Sequence, residues 1–309
     1  MIRVLSPGFL STIQDLGRPG FGHLGISASG AADALSLRIG NLLVGNTEGA
    51  PALEMTLVGG EYEFESEHYI CLTGSDFEPK LNGKEIQMWS CVHIGSGSRL
   101  RFGPSRTGAR CYLCIRGGFD IEPVLKSAST HLLTKIGGYS GRPVSRGDAL
   151  SVRKTPKLAS RIQSPHTDLV FDLLKRNQIR VTVGLQQNYF PPKEFEKFLA
   201  SRFEVLENSD RMGLRLAGAT IYANNPEIIT EGAPLGSIQI PPSGGPIILF
   251  VEHQTTGGYP KIANVIAADI HRVGQLRPRD SIYFKHVTYQ EALTALRQQE
   301  EVVESLRDL

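Results

Sequence analysis

Residues 61–86 read EYEFESEHYICLTGSDFEPKLNGKEI, and their pattern decides the fold class. Tyr62 and Phe64 alternate with Glu61, Glu63 and Glu65, the period of a strand with one face in a core and one in water. "YICLTG" follows as a second strand. Asn82-Gly83 then stands between two short flanks, the residue pair that a tight hairpin turn favours because its central residues need positive φ.

The pattern continues outward. "SRLRFG" (98–103) and "ARCYLCIRGG" (109–118) read as strands, and after a gap so do "IRVTVG" (179–184), "GSIQI" (236–240), "PIILFVE" (246–252) and "DSIYFKH" (280–286). The 33 glycines and 18 prolines suit a chain with many corners. Helices are few. "SGAADALSLRIGNLLVGN" (29–46) places Leu35, Ile39, Leu42 and Leu43 at helical spacing, with Ser29 as N-cap, Asp33 in the first turn and Gly45 as the stop. "PPKEFEKFLAS" (191–201) opens a short helix at proline, with Phe195, Phe198 and Leu199 on one face. The C-terminal stretch from Thr288 carries a stripe of Leu293, Leu296, Val303 and Leu306, expected to pack on a barrel. The expectation is a mainly β protein of two β-rich domains, residues 1–160 and 161–309. The polar, proline-bearing "VRKTPKLASRIQSPHTD" (152–168) is the linker.

Composition bounds the function. The chain has 309 residues, 40% hydrophobic and 21% charged, with a formal charge of +2 and no basic block. That argues against nucleic acid or an anionic membrane as the main partner. The start lacks the apolar core of a signal peptide and no stretch is apolar for long enough to span a bilayer, so a cytoplasmic protein is expected. Four cysteines are too few for a disulfide scaffold. Cys111 and Cys114 match C-x-x-C, but three positions apart on a strand the sulfurs face opposite sides, and no second pair stands at zinc spacing. No metal site is expected.

Three polar clusters could carry chemistry. "STIQDLGRPGFGHLGISASGAAD" (11–33) gathers Gln14, Asp15, Arg18, Ser27 and Ser29 among glycines ahead of a helix, an arrangement that could cradle an anion. It could equally be a structural loop in which Asp15 and Arg18 cap neighbouring backbone. "CIRGGFDIEPVLKSASTHLLTKIGGYSGRPVSRGD" (114–148) holds Arg116, Gly117 and Gly118 in a long loop, either a binding or interface segment or a surface excursion. The third is "FVEHQTTGGYPKIANVI" (250–266). There Gln254, Thr255, Thr256, Gly257, Gly258, Tyr259 and Lys261 interrupt an apolar strand pattern, more donors than a plain corner needs. Gly257-Gly258 with positive φ would form an anion nest, the threonines add hydroxyls, and Lys261 adds a positive charge. Such donors suit an oxygen that gains negative charge. The chain has no G-x-x-x-x-G-K-[ST] phosphate loop, no G-x-S-x-G elbow, no H-E-x-x-H and no Met-Lys-Met biotin attachment sequence.

These residues carry a family resemblance. "QDLGRPGFG", "SGAAD" leading into "NLLVGN", "ALEMTL", "LTGSDFEPKLNG", "YLCIRGGFD", "SASTHLLTKIGGYSGR", "SDRMGLRL", "GSIQIPPSGGPIIL" and "QTTGGYPKIA" occur in that order. Together they resemble the biotin-dependent carboxyltransferase family, also called allophanate hydrolase subunit 2. That family includes the C subunit of 5-oxoprolinase, an antagonist of the Kip kinase inhibitor, and the carboxyltransferase region of urea amidolyase. The resemblance implies cyclophilin-like β-barrel domains. It also implies a role as the C subunit of an ATP-dependent 5-oxoprolinase, a hydrolase inactive without its A subunit and its Kip-inhibitor-like B subunit. The alternatives are a biotin-dependent carboxyltransferase acting on urea or a related amide, with biotin carried on another chain, and a non-catalytic regulator that antagonises a histidine-kinase inhibitor protein. ATP would enter at the level of the assembly. The ligand would be a small lactam or amide, its oxygen held by the Gly257-Gly258 turn and Thr255 or Thr256, with Lys261 offsetting charge. Four residues depart from the family pattern: Glu252-His253 replace Asp-Arg, His131 replaces Asp, and Arg279 replaces Gly. His253 could serve as a base or in binding.

Overall fold

The structure, a computed structural model, describes residues 1–154 and 177–307. The expected domain boundary at 160/161 lies outside the described residues. Two compact units emerge, in their described parts: Met1–Arg18 with Ser29–Leu173 and Glu301–Leu309, and Pro19–Ala28 with Leu174–Glu300. Pro19–Ala28 therefore folds with the second unit although it lies early in the chain.

The first unit is antiparallel β-structure. Its strands are β1 (Ile2–Ser6), β2 (Leu10–Gln14), β3 (Ala52–Thr56), β4 (Glu61–Phe64), β5 (His68–Gly74) and β6 (Lys80–Leu81). β7 (Lys84–Glu85), β8 (Cys91–Ile94), β9 (Ser98–Arg101), β10 (Arg110–Ile115) and β11 (Ala149–Leu150) complete it. They form a six-stranded sheet, β11-β1-β4-β9-β6-β7, and a five-stranded sheet, β2-β3-β10-β5-β8. One apolar cluster joins them, with Ile2, Val4, Tyr62, Phe64 and Leu100 from one sheet and Ile13, Leu53, Met55, Ile70 and Leu113 from the other. The hairpin reading holds: Asn82 and Gly83 have φ of 50° and 83°, and Lys80 pairs with Glu85 across the turn.

Helix α1 (Ala34–Leu43) packs on β5 and β10. Its N-cap is Asp33, whose Oδ1 accepts from Ser36 N at 2.9 Å. Ser29 does not cap; it is left-handed, with φ of 56°, and its hydroxyl donates to Thr130 O at 3.0 Å. Cys111 and Cys114 separate as a strand requires. Cys111 lies in the apolar cluster, while Cys114 Sγ faces α1 at 3.8 Å from Leu37 O. Burial pushes the Cys114 thiol up to about 12, which keeps it an inert small hydrophobe.

The second unit holds β12 (Gln178–Val183), β13 (Arg202–Val205), β14 (Gly213–Ala217), β15 (Glu231–Gly232) and β16 (Ser237–Gln239). β17 (Ile247–Leu249), β18 (Thr256–Gly257), β19 (Lys261–Val265) and β20 (Ser281–His286) follow. Seven of these close a barrel in the order β12-β19-β16-β17-β14-β13-β20, while β15 and β18 pair separately. The closing pair, β12 with β20, is parallel, with Val181 opposite His286. Val181, Phe203, Ile238, Ile248, Ile282 and Phe284 are buried. Helix α2 (Pro192–Ala200) lays Phe198 on Phe284 in a stacked contact at 4.5 Å. The short α3 (Ile270–Gly274) and the C-terminal α4 (Tyr289–Ser305) complete four α-helices among the described residues. Ala292, Ala295 and Leu296 of α4 pack on Ile266, Ala268 and Val287. The fold is mainly β. The second unit closes as a seven-stranded hydrogen-bonded barrel, and the first wraps its core in a six-stranded and a five-stranded sheet. No described helix is long and apolar enough to cross a membrane.

Candidate functional site

The stretch 250–261 leaves β17, turns, and runs as an extended ribbon into β19. His253 N donates to Phe250 O at 2.9 Å, closing the turn. Thr255 O then accepts from Ala233 N at 3.0 Å, Thr256–Gly257 pair with Glu231–Gly232, and Gly258 O accepts from Ile228 N at 2.9 Å. Neither Gly257 nor Gly258 has positive φ. The nest expected from two left-handed glycines is therefore absent, because pairing with residues 228–233 holds both in extended backbone. A Cβ at 257 would stand 2.6 Å from Gln239 Nε2, so a side chain there would displace the end of the Gln239 side chain.

Beneath the ribbon the outer face of the barrel is polar yet buried. Ser237, Gln239 and Lys261 are each 1% exposed. A register shift between Ile238 and Gln239 sets Gln239 opposite Lys261 while Ile238 stays opposite Ala263. Lys261 Nζ donates to Glu231 Oε1 at 2.6 Å, Gln186 Nε2 donates to the same oxygen at 2.8 Å, and Lys261 N donates to Gln186 Oε1 at 3.2 Å. The ammonium holds the Glu231 carboxyl below the usual carboxylate range. Lys261 thus enters the site as half of an ion pair.

Above this face, Gln254, Thr256 and Tyr259 are exposed and Thr255 is half-buried. Gln254 Nε2 donates to Gln239 Oε1 at 3.3 Å. Pro19–Ala28 supplies a wall, since a Cβ on Gly22 would meet Thr255 Cγ2 at 3.9 Å. Ser27 is buried within the same segment. At the departures from the family pattern, Glu252 takes a hydrogen bond from Arg211 Nε with both side chains buried. His253 Nδ1 lies 2.7 Å from Gln254 O, and burial lowers its pKa, which keeps the imidazole neutral near pH 7.

The remaining sequence candidates lie in the first unit and serve as fasteners. Asp15 Oδ1 accepts from Gly17 N at 2.7 Å, Ser127 Oγ at 2.7 Å and Ser129 Oγ at 2.5 Å, and its Oδ2 accepts from Ala128 N at 2.6 Å. Arg18 is buried and donates to Ser129 O and, at 3.4 Å, to Val124 O. Gln14 Nε2 donates to Thr130 O at 3.1 Å. These bonds all end on groups of the first unit, between residues 12 and 17 and between 124 and 130. Arg116, Gly117 and Gly118 form a turn tied to the end of α1: Arg116 Nη1 donates to Val44 O at 2.9 Å and Gly117 N to Asn46 Oδ1 at 2.7 Å. A groove of about 540 Å³ does open in the first unit, lined by Asp120, Glu122, Lys135, Gly137, Gly138 and Tyr139.

Sequence reasoning missed Gln186, Glu231 and Gln239. Gln239 had only a weak signal, a polar residue alternating with Ile238 and Ile240 in "GSIQI", which reads as an ordinary outward strand position. Gln186 and Glu231 had none, because their roles exist only through Lys261.

Comparisons with known proteins cover most of the chain. The family described as carboxyltransferase domain, subdomain A and B, matches residues 24–286. The chain is 38% identical to the C subunit of 5-oxoprolinase from Haemophilus influenzae, over 99% of this chain and 98% of that protein. It is 34% identical to urea amidolyase of Lachancea kluyveri, over 99% of this chain but 18% of that protein. The crystal structure of the Kluyveromyces lactis urea carboxylase superposes with a TM-score of 0.93 at 30% identity, covering 99% of this chain and 29% of that one. The chain belongs to the carboxyltransferase domain, subdomain A and B, family.

Proposed function

We propose that this chain is the C subunit of an ATP-dependent 5-oxoprolinase, opening 5-oxoproline to glutamate together with homologues of the A and B subunits, and inactive by itself. One observation carries the reading: the end-to-end match to the C subunit of a 5-oxoprolinase, 98% of which is covered. The second-unit ribbon is the proposed substrate site. Its donors, Gln254, Thr255, Thr256 and Gln239, are neutral, which fits the carbonyl of a cyclic amide as its oxygen gains charge. They fit a triphosphate poorly, because Lys261 is already paired with Glu231. ATP, which would supply the driving force for ring opening, is therefore assigned to another component of the assembly. Tyr259, 38% exposed, is assigned to substrate contact in this reading.

The superposition on a urea carboxylase favours a second reading, carboxyl transfer to urea or a related amide. Biotin on a separate carrier would supply the carboxyl group, and its ureido carbonyl presents the same acceptor to these donors. Co-purification with the A and B subunits, followed by an assay of ATP-dependent glutamate release from 5-oxoproline, decides between them. Release is expected from the assembly and not from the chain by itself. Thr256→Ala is expected to raise the barrier by about 3 kcal/mol, the typical value of one oxyanion donor. No release from the wild-type assembly overturns the lactam reading.

A further inference from the structure

Gln239 is 1% exposed, and its Nε2 has no hydrogen-bond partner among the described residues. Folds seldom leave a buried amide donor unanswered, so such a group calls for a reason. Its oxygen is in use, accepting from Gln254 Nε2 at 3.3 Å. The nitrogen faces the flank of Gly257, where a Cβ would lie 2.6 Å from Gln239 Nε2 and 3.6 Å from Gln254 Nε2. Two amide nitrogens thus converge beside a residue that carries no side chain and is not left-handed. The nearby charge is balanced, with Lys261 Nζ on Glu231 Oε1 at 2.6 Å. A neutral donor in a charge-balanced setting matches a neutral carbonyl better than a carboxylate or phosphate, which reward cations.

We propose that Gln239 is the specificity-determining donor of this site, its Nε2 donating to the ring carbonyl oxygen of a five-membered cyclic amide or cyclic urea. The proposal rests on the reading of the ribbon as the substrate site. Gln254, exposed and held to Gln239 only by a 3.3 Å bond at the long end of the usual range, is the side chain that a ligand displaces to reach the nitrogen. A side chain at 257 would push the Gln239 amide away.

The test uses the ¹⁵N-labelled full chain, by itself and assembled with its partner subunits, and follows the side-chain amide resonance of Gln239, assigned by its loss in Gln239→Leu. The ligands are 5-oxoproline, biotin, and proline, which keeps the ring and carboxylate but lacks the ring carbonyl. A shift with 5-oxoproline or biotin and none with proline is expected. A shift with biotin alone upholds Gln239 as donor while overturning the lactam reading. A shift with neither, or an equal shift with proline, overturns the proposal. In the assembled enzyme, Gln239→Leu is expected to lower kcat about 100-fold with a smaller change in KM. Gln239→Glu, which keeps the shape and loses the donor, serves if the leucine variant does not fold. Unchanged kcat in a folded variant also overturns the proposal.

Discussion

Lys261 Nζ and Glu231 Oε1 lie 2.6 Å apart, with the lysine side chain 2% exposed and the glutamate side chain 39% exposed. The lysine that its sequence context offers as a free positive charge is thus neutralised from a strand 30 residues away. The asymmetry in exposure sets the consequences.

Removing Glu231 leaves a buried ammonium without its counter-charge. Glu231→Ala is expected to cost about 3 kcal/mol, the lower end for breaking a buried pair. Lys261→Met leaves a carboxylate that reaches water and costs less. Urea unfolding of both variants checks the order.

Stability depends on pH through two groups near the ribbon. Burial lowers the His253 pKa, so the fold prefers the neutral ring. Its contribution is present above the ordinary histidine value of about 6.5 and is lost as pH falls through the lower folded value. Glu231, lowered by Lys261, contributes fully above the ordinary glutamate value of about 4.3, and that is lost on further acidification. Unfolding free energy measured from about pH 8 to about pH 3 is expected to decline in two stages, and His253→Gln is expected to flatten the first.

Asp15 gathers four donors, one from neighbouring Gly17 and three from the distant segment 127–129. Asp15→Ala leaves those within the protein without an acceptor, at about 1–3 kcal/mol for each that water does not reach. A total loss of at least about 3 kcal/mol is expected, with protease cleavage appearing first between residues 120 and 141. Thermal unfolding with limited proteolysis measures both.

Arg279 has φ of 70° at a position where the family pattern has glycine. A left-handed non-glycine residue costs about 1–2 kcal/mol. The compensating Arg279–Glu207 pair, at 2.9 Å, has side chains 81% and 67% exposed and offsets little. Arg279→Gly is expected to raise stability by about 0.5–1 kcal/mol after the added entropy of the unfolded glycine is counted, seen as a higher urea midpoint.

Much of this was legible from local pattern. Alternation in residues 61–64 became β4, with Tyr62 and Phe64 fully buried, and Asn82-Gly83 became the turn between β6 and β7. The stretch 254–261 stood out because a strand rarely carries so many donors. Its geometry did not follow from those letters: Gly257-Gly258 reads as a nest in isolation and is an extended ribbon in the fold.

The order of side chains alone therefore determined which segments become strands, because the two-residue period and turn chemistry act over a few neighbours. Tertiary structure decided the grouping of Pro19–Ala28 with the second unit, the neutralisation of Lys261, and the stranding of Gln239 Nε2 beside Gly257. Those facts depend on pairings between residues tens of positions apart, where burial and charge compensation are set by what the whole fold brings within hydrogen-bond reach.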